Sequence, residues 1–565
     1  MLQPQINISA QGNVDVQGSG AGLGGALIKA PGAALTISAG SGGTTNAVLL
    51  EPGSTIDLSG IAGVTLPMST NLVTFKITAA EVADTPLAQG LIGQTVTIDL
   101  RLSGTRADGF QWVGSPILTA AGYAGLIPQS IDQILTRGGT LNTSAGNVIQ
   151  QPGSVINVSA GYVQYLGGII NTTRLLGADG RTYNIGNANP NISYVAIANG
   201  FVVNHPRWNV TEVYVSPLGG SGAYYEAGYI AGANAGAVNV TASAPILEGD
   251  IVADVTAGKR QRAGLDPMPI GGSLGVSFVG NGGPSAYNVA LEPQADAGPD
   301  PYGLSTFSFA NASTWMPALT NGIFPLFSDV LSNASLNAIS IKGASQLNMP
   351  TDAVLVVRPG GSITLDGVST IDGVLSAPGG NISLTGFTYG AKTPPQQPPT
   401  PALVIGPNAV LDVHGLWVND TGLSADRFQG PAYVNGGSVS IATVAASNGP
   451  SSEDGAFTDV TQSIVLTPGS VIDLSGGGYA GLTGKLKTGS DGLPIGKGGS
   501  LTLTTYLGGF PGRIAGNGQG TNPFNVVPHG TNPDGSVNHP NQANIILGAT
   551  IYAGGFDGGG TLSLQ

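Results

Sequence analysis

The sequence predicts an all-β fold, a right-handed parallel β-helix with loop and short-helix excursions. Two short phrases recur along the chain, and each is a turn followed by a few alternating apolar and polar residues. The copies follow one another without helices between them. Short strands repeated in this way indicate stacked coils of a β-solenoid. Parallel crossovers are right-handed in nearly all known cases, so the prediction takes that hand.

The first phrase begins at a proline and is clearest from Thr467 to Gly478, TPGSVIDLSGGG. Proline has no amide hydrogen for a sheet ladder, so it marks the corner before the strand, and glycine supplies the turn after it. Side chains alternate between the faces of a strand, which predicts that Ile472 and Leu474 point into the coil and Asp473 points outward. The equivalent apolar pairs are Leu35 and Ile37, Ile56 and Leu58, Ile156 and Val158, Ile363 and Leu365, and Leu411 and Val413.

The second phrase begins with paired glycines and also leads into a short alternating strand. Its copies start at Gly271, Gly379, Gly436, Gly498 and Gly558. At Gly138 both phrases run together as GGTLNTSAGNVIQQPGSVINVSAG, which predicts three short strands within one coil. Each buried Ile, Leu or Val contributes roughly 1.5–3 kcal/mol, and this outweighs a conformational cost of up to about 1 kcal/mol for each glycine.

One continuous β-helix segment is predicted over residues 1–565, because the phrases recur from end to end. Four stretches lose the phrases and are predicted to leave the coil wall as excursions, at about 64–115, 161–232, 280–335 and 511–541. Short helical turns are predicted in SIDQILTRGG, from Ser130, and in PLFSDVLSN. A rise of about 4.8 Å per coil over roughly twenty coils predicts a rod on the order of 100 Å long.

The composition argues against several classes of protein. The net charge is −13 and no extended cluster of lysine and arginine is present, which disfavours nucleic acid as a partner. Cysteine is absent, so disulfides and thiolate metal sites are excluded. No run of 18 apolar residues occurs, so no transmembrane segment is predicted. With 41% apolar and only 9% charged residues, the balance is the opposite of that in disordered chains.

Both ends of the sequence have the pattern of strands. The start, MLQPQINISAQGNVDVQG, lacks the basic segment and apolar core of a signal peptide, and the end, GGGTLSLQ, stops within a predicted strand. Uncapped solenoid ends expose unpaired backbone. The sequence is therefore predicted to be an internal fragment of a longer polypeptide. The alternative is a pair of natural termini covered by another element.

The excursion at 161–232 is the candidate binding surface, because nine of the sixteen tyrosines lie between Tyr123 and Tyr229. Flat amphipathic rings with a neighbouring acceptor suit contact with a sugar. The candidate contact residues are Trp208, Tyr224, Tyr225 and Glu226. The alternative is that these rings form the excursion's own small core against the coil wall.

A polysaccharide lyase or hydrolase is the main alternative from another class, because many parallel β-helices are enzymes with sites on the coil wall. Such sites need carboxylates clustered on neighbouring coils. The outward position between the apolar pairs holds Thr36, Asp57, Asn157, Thr364, Asp412 and Asp473, so the acidic residues are diluted by neutral ones. Two carboxylates about 4.8 Å apart in water repel by only roughly 0.9 kcal/mol, which needs no catalytic explanation.

No catalytic, cofactor or metal site is predicted. The four histidines lack the spacing of metal ligands, so surface or turn roles are predicted for each of them. They are His205, His414, His529 and His539.

Two longer blocks resemble sequences in very large bacterial surface proteins of the filamentous haemagglutinin family. The first is GYVQYLGGIINTTRLLGADGRTYNIGNANPNISYVAIANGFVVNHPRWNVTEVYVSPL, from Gly161, and the second is GYIAGANAGAVNVTASAPILEGDIVADVTAGKRQRA, from Gly228. The repeated PGSVIDLSGG phrase is also typical of these exoproteins. Together the matches cover most of the chain.

The resemblance implies two-partner secretion, in which an unfolded chain crosses an outer-membrane transporter and folds outside the cell. It implies a secreted or cell-surface protein that contacts a host or bacterial receptor or glycan. The family's secretion domain is not evident in this chain, and neither is a toxin domain. The predicted function is a non-catalytic structural or adhesive fibre segment. The alternatives are the stalk of a contact-dependent toxin carrier and a polysaccharide-degrading β-helix enzyme.

Overall fold

The computed structural model describes residues 3–19, 25–40, 46–198, 201–205, 210–214, 223–279, 287–312, 314–386, 402–424, 426–443, 463–505 and 545–565. Within these ranges the protein is all-β, with strands numbered β1 to β44 along the chain. The α-helices are α1 (Ile131–Ile134), α2 (Lys259–Arg262) and α3 (Ser328–Asn333). Helices α1 and α3 confirm the two predicted helical turns. The excursion predicted at 511–541 lies outside the described residues.

The first parallel ladder is a continuous run of eleven strands, each paired with the next in the series. They are β1 (Gln5–Ala10), β4 (Ala34–Ala39), β12 (Thr140–Gln150), β23 (Ala237–Leu247), β25 (Ser273–Phe278), β28 (Ala338–Lys342), β31 (Ser362–Ile371), β33 (Asn381–Gly386), β37 (Ser438–Ala442), β41 (Ser500–Thr504) and β44 (Thr561–Leu564). At about 4.8 Å per step this ladder is about 50 Å long. This ladder is therefore about half as long as the predicted rod, because the excursions take up much of the chain.

The second ladder continues from the far halves of β12, β23 and β31. Its other strands are β2 (Val14–Val16), β5 (Ala47–Leu50), β26 (Asn288–Glu292), β27 (Ile323–Phe327), β29 (Gln346–Met349), β34 (Ala402–Ile405), β38 (Ser463–Leu466) and β42 (Ile545–Leu547). Strand β27 pairs with β26 on one side and contacts β23 on the other, so it lies in the wall out of chain order. The excursion predicted at 280–335 therefore contributes strands to the wall.

The third ladder has two parts, and all of its described strands are three residues long. The first part is β3 (Leu27–Lys29), β6 (Thr55–Asp57), β13 (Val155–Asn157) and β24 (Asp250–Val252). The second part is β30 (Val354–Val356), β32 (Val374–Ser376), β35 (Val410–Asp412), β39 (Val471–Asp473) and β43 (Thr550–Tyr552).

The predicted inward pairs are buried in every copy of the proline phrase. Ile472 and Leu474 are buried, as are the five equivalent pairs, and they all belong to one hydrophobic cluster that extends from Val16 to Leu503. The turn before the strand also follows the prediction, since Gly153 and Gly469 have φ angles of 82° and 100°, a region that favours glycine. Stacked parallel sheets around one aliphatic core fit a β-helix.

The structure divides the proline phrase into two types. Copies that end in Asp or Asn, such as those at Asp57 and Asp473, stop after three residues and join the third ladder. In these copies the side-chain oxygen accepts the backbone N–H two residues later, as from Ser59 to Asp57, and this turns the chain. Thr36 and Thr364 stand at the same position in strands that continue into the first ladder.

The segment from Gly138 forms two strands where three were predicted. The first two predicted strands form a single strand of eleven residues, β12, and the third predicted strand is β13. The buried small residues Ala145 and Gly146 let the backbone change direction without leaving the extended conformation. Strand β23 repeats this arrangement in register with β12.

Outside the wall, most of the remaining strands pair in antiparallel fashion. They are β7 (Ala62–Pro67), β8 (Leu72–Lys76), β9 (Thr95–Asp99), β10 (Ser103–Thr105), β11 (Gln111–Val113), β14 (Tyr162–Leu166), β15 (Gly168–Asn171), β16 (Arg174–Gly177), β17 (Thr182–Asn184), β18 (Tyr194–Ile197), β19 (Phe201–His205), β20 (Val210–Tyr214), β21 (Ala223–Glu226) and β22 (Tyr229–Gly232). Two further strands, β36 (Trp417–Asn419) and β40 (Gly478–Ala480), form a parallel pair, and β7 is parallel to β14.

The first two excursions share a second hydrophobic core. It joins buried residues from 75–120 with Leu175, Ile185 and Tyr194. The sequence treats these excursions as separate, whereas the structure packs them together. The 3₁₀ turns within the described residues are Met68–Asn71, Pro86–Leu91, Ala121–Leu126, Ile185–Asn187, Gln294–Asp296, Leu304–Thr306 and Thr320–Gly322.

Candidate functional site

The predicted contact surface lies partly on the antiparallel pair formed by β15 and β21. Tyr225 is opposite Ile169 in this pair, and both side chains are largely exposed, at 71% and 67%. Tyr224 is opposite the buried Ile170 and is 47% exposed. These two tyrosines therefore present ring surface to solvent, as the binding hypothesis requires. Trp208 lies outside the described residues.

The hydroxyl end of the Tyr225 ring lies close to Gly167. A Cβ atom built on Gly167 would be only 2.3 Å from the Tyr225 hydroxyl oxygen, so any larger residue there would displace the ring. The exposed Leu166 precedes this glycine. Leu166, Ile169 and Tyr225 place apolar and aromatic surface at one edge of the second excursion.

Glu226 is bound within the protein. Its two carboxylate oxygens accept hydrogen bonds from Nη1 and Nη2 of Arg101, both at 2.7 Å. Arg101 also donates to both oxygens of Asp99, at 3.0 and 2.6 Å. Glu226 therefore fixes β21 to β9 and its loop, and this use competes with the predicted role as an acceptor for a sugar.

Burial makes this charge network strong. The Arg101 side chain is 8% exposed and that of Asp99 is 2% exposed. Burial opposes the charge on Arg101, but the hydrogen bonds to Asp99 and Glu226 raise its pKa well above the usual value. The guanidinium carbon lies 5.6 Å from the centre of the Tyr229 ring, and Arg260 stands at the same distance from that ring. The network thus joins both excursions to α2.

Most described tyrosines of this region pack inward. Tyr165 stacks on Tyr229 with ring centres 4.8 Å apart, and burial raises the pKa of Tyr229 to about 12. Tyr194 meets Tyr183 edge to face at 5.7 Å. These rings fit the alternative that the aromatic residues form a core, whereas Tyr224 and Tyr225 fit the binding hypothesis.

The outward carboxylates of the third ladder have a structural function at the corners. Oδ1 of Asp473 accepts hydrogen bonds from both the backbone N–H and the hydroxyl of Ser475. Asp57 makes the same pair of bonds to Ser59. These bonds explain why an acidic residue ends each of these strands.

One corner differs, and it brings together three potential metal ligands that sequence spacing does not reveal. Asp412 and Asp473 pair in register on β35 and β39, and His414 replaces the corner serine. The Nδ1 atom of His414 lies 2.5 Å from Oδ1 of Asp412. One ligand atom from each of the three residues lies within 4.8 Å of the other two. The signal in the sequence is the alignment of LDVHG with IDLSG.

A carboxyl with a raised pKa lies where the third excursion meets the wall. Burial, together with the nearby Asp300, raises the pKa of Glu248 to about 7. Glu248 follows β23, and the fully buried Tyr302 stands close to it. Strong shifts of this kind are common at catalytic sites, although buried structural carboxyls show them too.

Two clefts border the wall, and no carboxylate lines either of them. The larger, about 430 Å³, is lined by glycines, Arg137 and Asn234. The smaller, about 240 Å³, lies beside Arg358 and Tyr433. General acid–base cleavage of a polysaccharide needs a pair of carboxyl groups flanking the bond, and these two clefts do not supply one.

Comparisons of the chain with models of protein families, with curated proteins and with solved structures find no match. Within the described residues, none of the helices has the length and apolar character needed to cross a membrane.

Proposed function

We propose that this chain is a non-catalytic segment of a secreted fibre, built as a right-handed parallel β-helix whose excursions provide contact surfaces. The observation that carries the proposal is the continuous first ladder, in which eleven strands pair in parallel around one continuous, mostly aliphatic core. Each strand pairs only with its neighbours, so the architecture adds length without a central active site.

The adhesive part of the proposal rests on the exposed antiparallel pair of β15 and β21. Tyr225 and Ile169 offer flat apolar surface beside polar backbone, a combination that suits the faces of sugar rings. The buried Arg101 network holds this strand pair in place, which reduces the conformational entropy lost on binding.

Export by two-partner secretion is the route that the resemblance implies, with an outer-membrane transporter as the partner during export. The absence of cysteine suits a chain that crosses a membrane unfolded, since no disulfide can form early. A stalk that carries a toxin would use the same rod, and delivery of an attached toxin domain without any surface binding would favour that alternative.

The architecture is tested by electron cryomicroscopy of the purified chain. We expect right-handed coils with a rise of about 4.8 Å. Left-handed coils would contradict the proposed hand, and separate antiparallel sandwiches would overturn the fold on which the fibre proposal depends.

The function is tested by glycan arrays and a panel of polysaccharides. We expect binding that Tyr225→Ala weakens and that Trp417→Ala leaves unchanged, since Trp417 is an exposed aromatic residue on a different surface. Failure to bind any glycan or cell surface would overturn the adhesive function. Turnover of any polysaccharide would overturn the proposal that the segment is non-catalytic.

A further inference from the structure

We propose that Asp412, His414 and Asp473 form a binding site for a first-row divalent metal ion, such as Zn²⁺, that links two neighbouring strands of the third ladder. The parallel register places Asp412 directly beside Asp473, and the corner after β35 places His414 on the same outward side. All three residues are partly buried, so their side chains are positioned by the wall and remain open to solvent.

The donor set points to a transition metal. One imidazole nitrogen and two carboxylate oxygens are ligands that Zn²⁺ accepts at about 2.0–2.2 Å, whereas Ca²⁺ and Mg²⁺ prefer oxygen alone. In a tetrahedral site, two ligands at that distance from the ion are about 3.3–3.6 Å apart. The three ligand atoms lie within 4.8 Å of one another, and Nδ1 of His414 is 2.5 Å from Oδ1 of Asp412, so binding of one ion requires these side chains to shift by about 1 Å.

The two carboxylates have unequal commitments within the protein. Asp412 accepts the His414 backbone N–H on Oδ1 and the Ser376 hydroxyl on Oδ2. Asp473, among the described residues, accepts only through Oδ1, from Ser475. The other oxygen of Asp473 is therefore available to a metal without loss of the corner.

The charge balance of this column supports a bound cation. In the first part of the third ladder, Asp57 lies between Lys29, at 3.3 Å, and the neutral Asn157. In the second part, two aspartates are direct neighbours, and the strands on either side supply Ser376 and Tyr552. Among the described residues, neither of these aspartates forms an ion pair with a lysine or an arginine. A metal ion would supply the positive charge that Lys29 supplies in the first part.

His414 occupies the position that is a serine in the corners after Asp57, Asn157 and Asp473. Its ring reaches Asp412 in the way that the Ser475 hydroxyl reaches Asp473. In the metal-free protein the substitution keeps the corner hydrogen bond, and it adds an imidazole nitrogen, a metal ligand that serine lacks. Binding of one ion by both His414 and Asp412 would replace that hydrogen bond. The competing explanation is a simple histidine–aspartate pair at a corner, with no metal.

The test uses variants that this chain already contains at equivalent corners, so the fold is expected to be retained. His414→Ser restores the residue found at Ser475, and Asp473→Asn restores that found at Asn157. The control is Asp57→Asn, which changes the same position in the first part of the ladder. Circular dichroism of each variant checks that the strands are intact.

Metal binding is measured on the metal-free chain by calorimetry with Zn²⁺, by visible absorption with Co²⁺, and by calorimetry with Ca²⁺ as the comparison ion. We expect a saturable Zn²⁺ site whose affinity falls by roughly tenfold or more in His414→Ser and in Asp473→Asn. The control Asp57→Asn should leave it unchanged. Zn²⁺ binding that is not saturable, or that survives both variants, would overturn the proposal. A preference for Ca²⁺ that survives His414→Ser would do so as well.

Discussion

The coil wall and the paired excursions solve the same packing problem in different ways. The wall buries pairs of aliphatic residues that repeat at a fixed spacing, and each pair lies above its counterpart in the next strand. The excursions bury a non-repeating set that includes Phe75 and Tyr194, and they join antiparallel strands from distant parts of the chain. A repeated core is encoded locally, whereas a unique core depends on which segments meet.

The two regions also differ in how they handle charge. In the wall, acidic side chains stand outward at corners, where backbone N–H groups of the next turn satisfy them. The excursions bury Asp99 almost completely and balance it with Arg101. A buried ion pair specifies a partner, but it costs desolvation energy, and removal of one member leaves the other unpaired.

The largest effect is expected from Arg101→Ala. This change leaves Asp99 buried without its cation and frees Glu226, which should destabilise the excursions by about 3–5 kcal/mol. Hydrogen exchange should show loss of protection in β9 and β21 while the first ladder stays protected. The control is Arg181→Ala, an exposed arginine of the same region, expected to change stability by less than about 0.5 kcal/mol. Equal loss of protection in the wall would contradict the separation of the two cores.

A comparable loss, confined to the wall, is expected from Leu365→Ala. Truncation of this buried side chain leaves a cavity and should cost about 2–5 kcal/mol. The neighbouring Thr364→Ala removes an outward side chain and serves as the control. Urea unfolding, followed by circular dichroism, compares the two variants. If Thr364→Ala were as damaging as Leu365→Ala, the assignment of inward and outward faces would be wrong.

A smaller effect, which depends on pH, is expected where the third excursion meets the wall. The pKa of Glu248 is raised from 4.5 to about 7, so the folded state binds this proton more tightly than the unfolded state. The contribution of Glu248 to the stability of the protein is therefore greatest below about pH 4.5 and is lost as the pH rises through 7. Because the side chain is partly exposed, Glu248→Gln should stabilise the protein by about 1–3 kcal/mol above pH 7 and by almost nothing near pH 4.

Thermal unfolding at about pH 8 and about pH 4 measures this effect. The matched control is Glu51→Gln, at the equivalent position beside an earlier strand, where the carboxylate accepts the Gly18 backbone N–H at 2.8 Å. That variant keeps an amide oxygen that can accept the Gly18 N–H and should gain no stability at the higher pH. A stabilisation by Glu248→Gln that is the same at both pH values would exclude titration of this carboxyl as the cause.

Much of the wall was predictable because its signals are local. Alternation identified Ile472 and Leu474 as inward residues, and the proline–glycine turn identified the corner before them. The sequence also carries the signal that divides the proline phrases between two ladders, because the middle position is Asp473 in one type and Thr364 in the other. That signal can be interpreted only with knowledge of the hydrogen bond that the aspartate accepts at the corner. The prediction of three strands at Gly138 failed because small residues there bend one strand through two ladders.

The candidate sites were less predictable. Tyr225 was identified from composition, and its exposure agrees with a contact role, but the partner of Glu226 was not foreseen. Arg101 is 125 residues away from Glu226 in the sequence, and no periodic pattern connects them. The same limit applies to His414 and Asp473, which meet only because one turn of the chain brings β39 beside β35.

By itself, the sequence determined which side chains are buried in the wall and where the chain turns, because alternation and turn chemistry act within a few residues. Tertiary structure alone decided that β27 enters the wall out of chain order, that two excursions share one core, and that Arg101 balances Asp99 and Glu226. The physical reason is range. Strand faces and corners are set by neighbouring residues, whereas the partner of a buried charge is set by whichever segment the fold brings within hydrogen-bond distance.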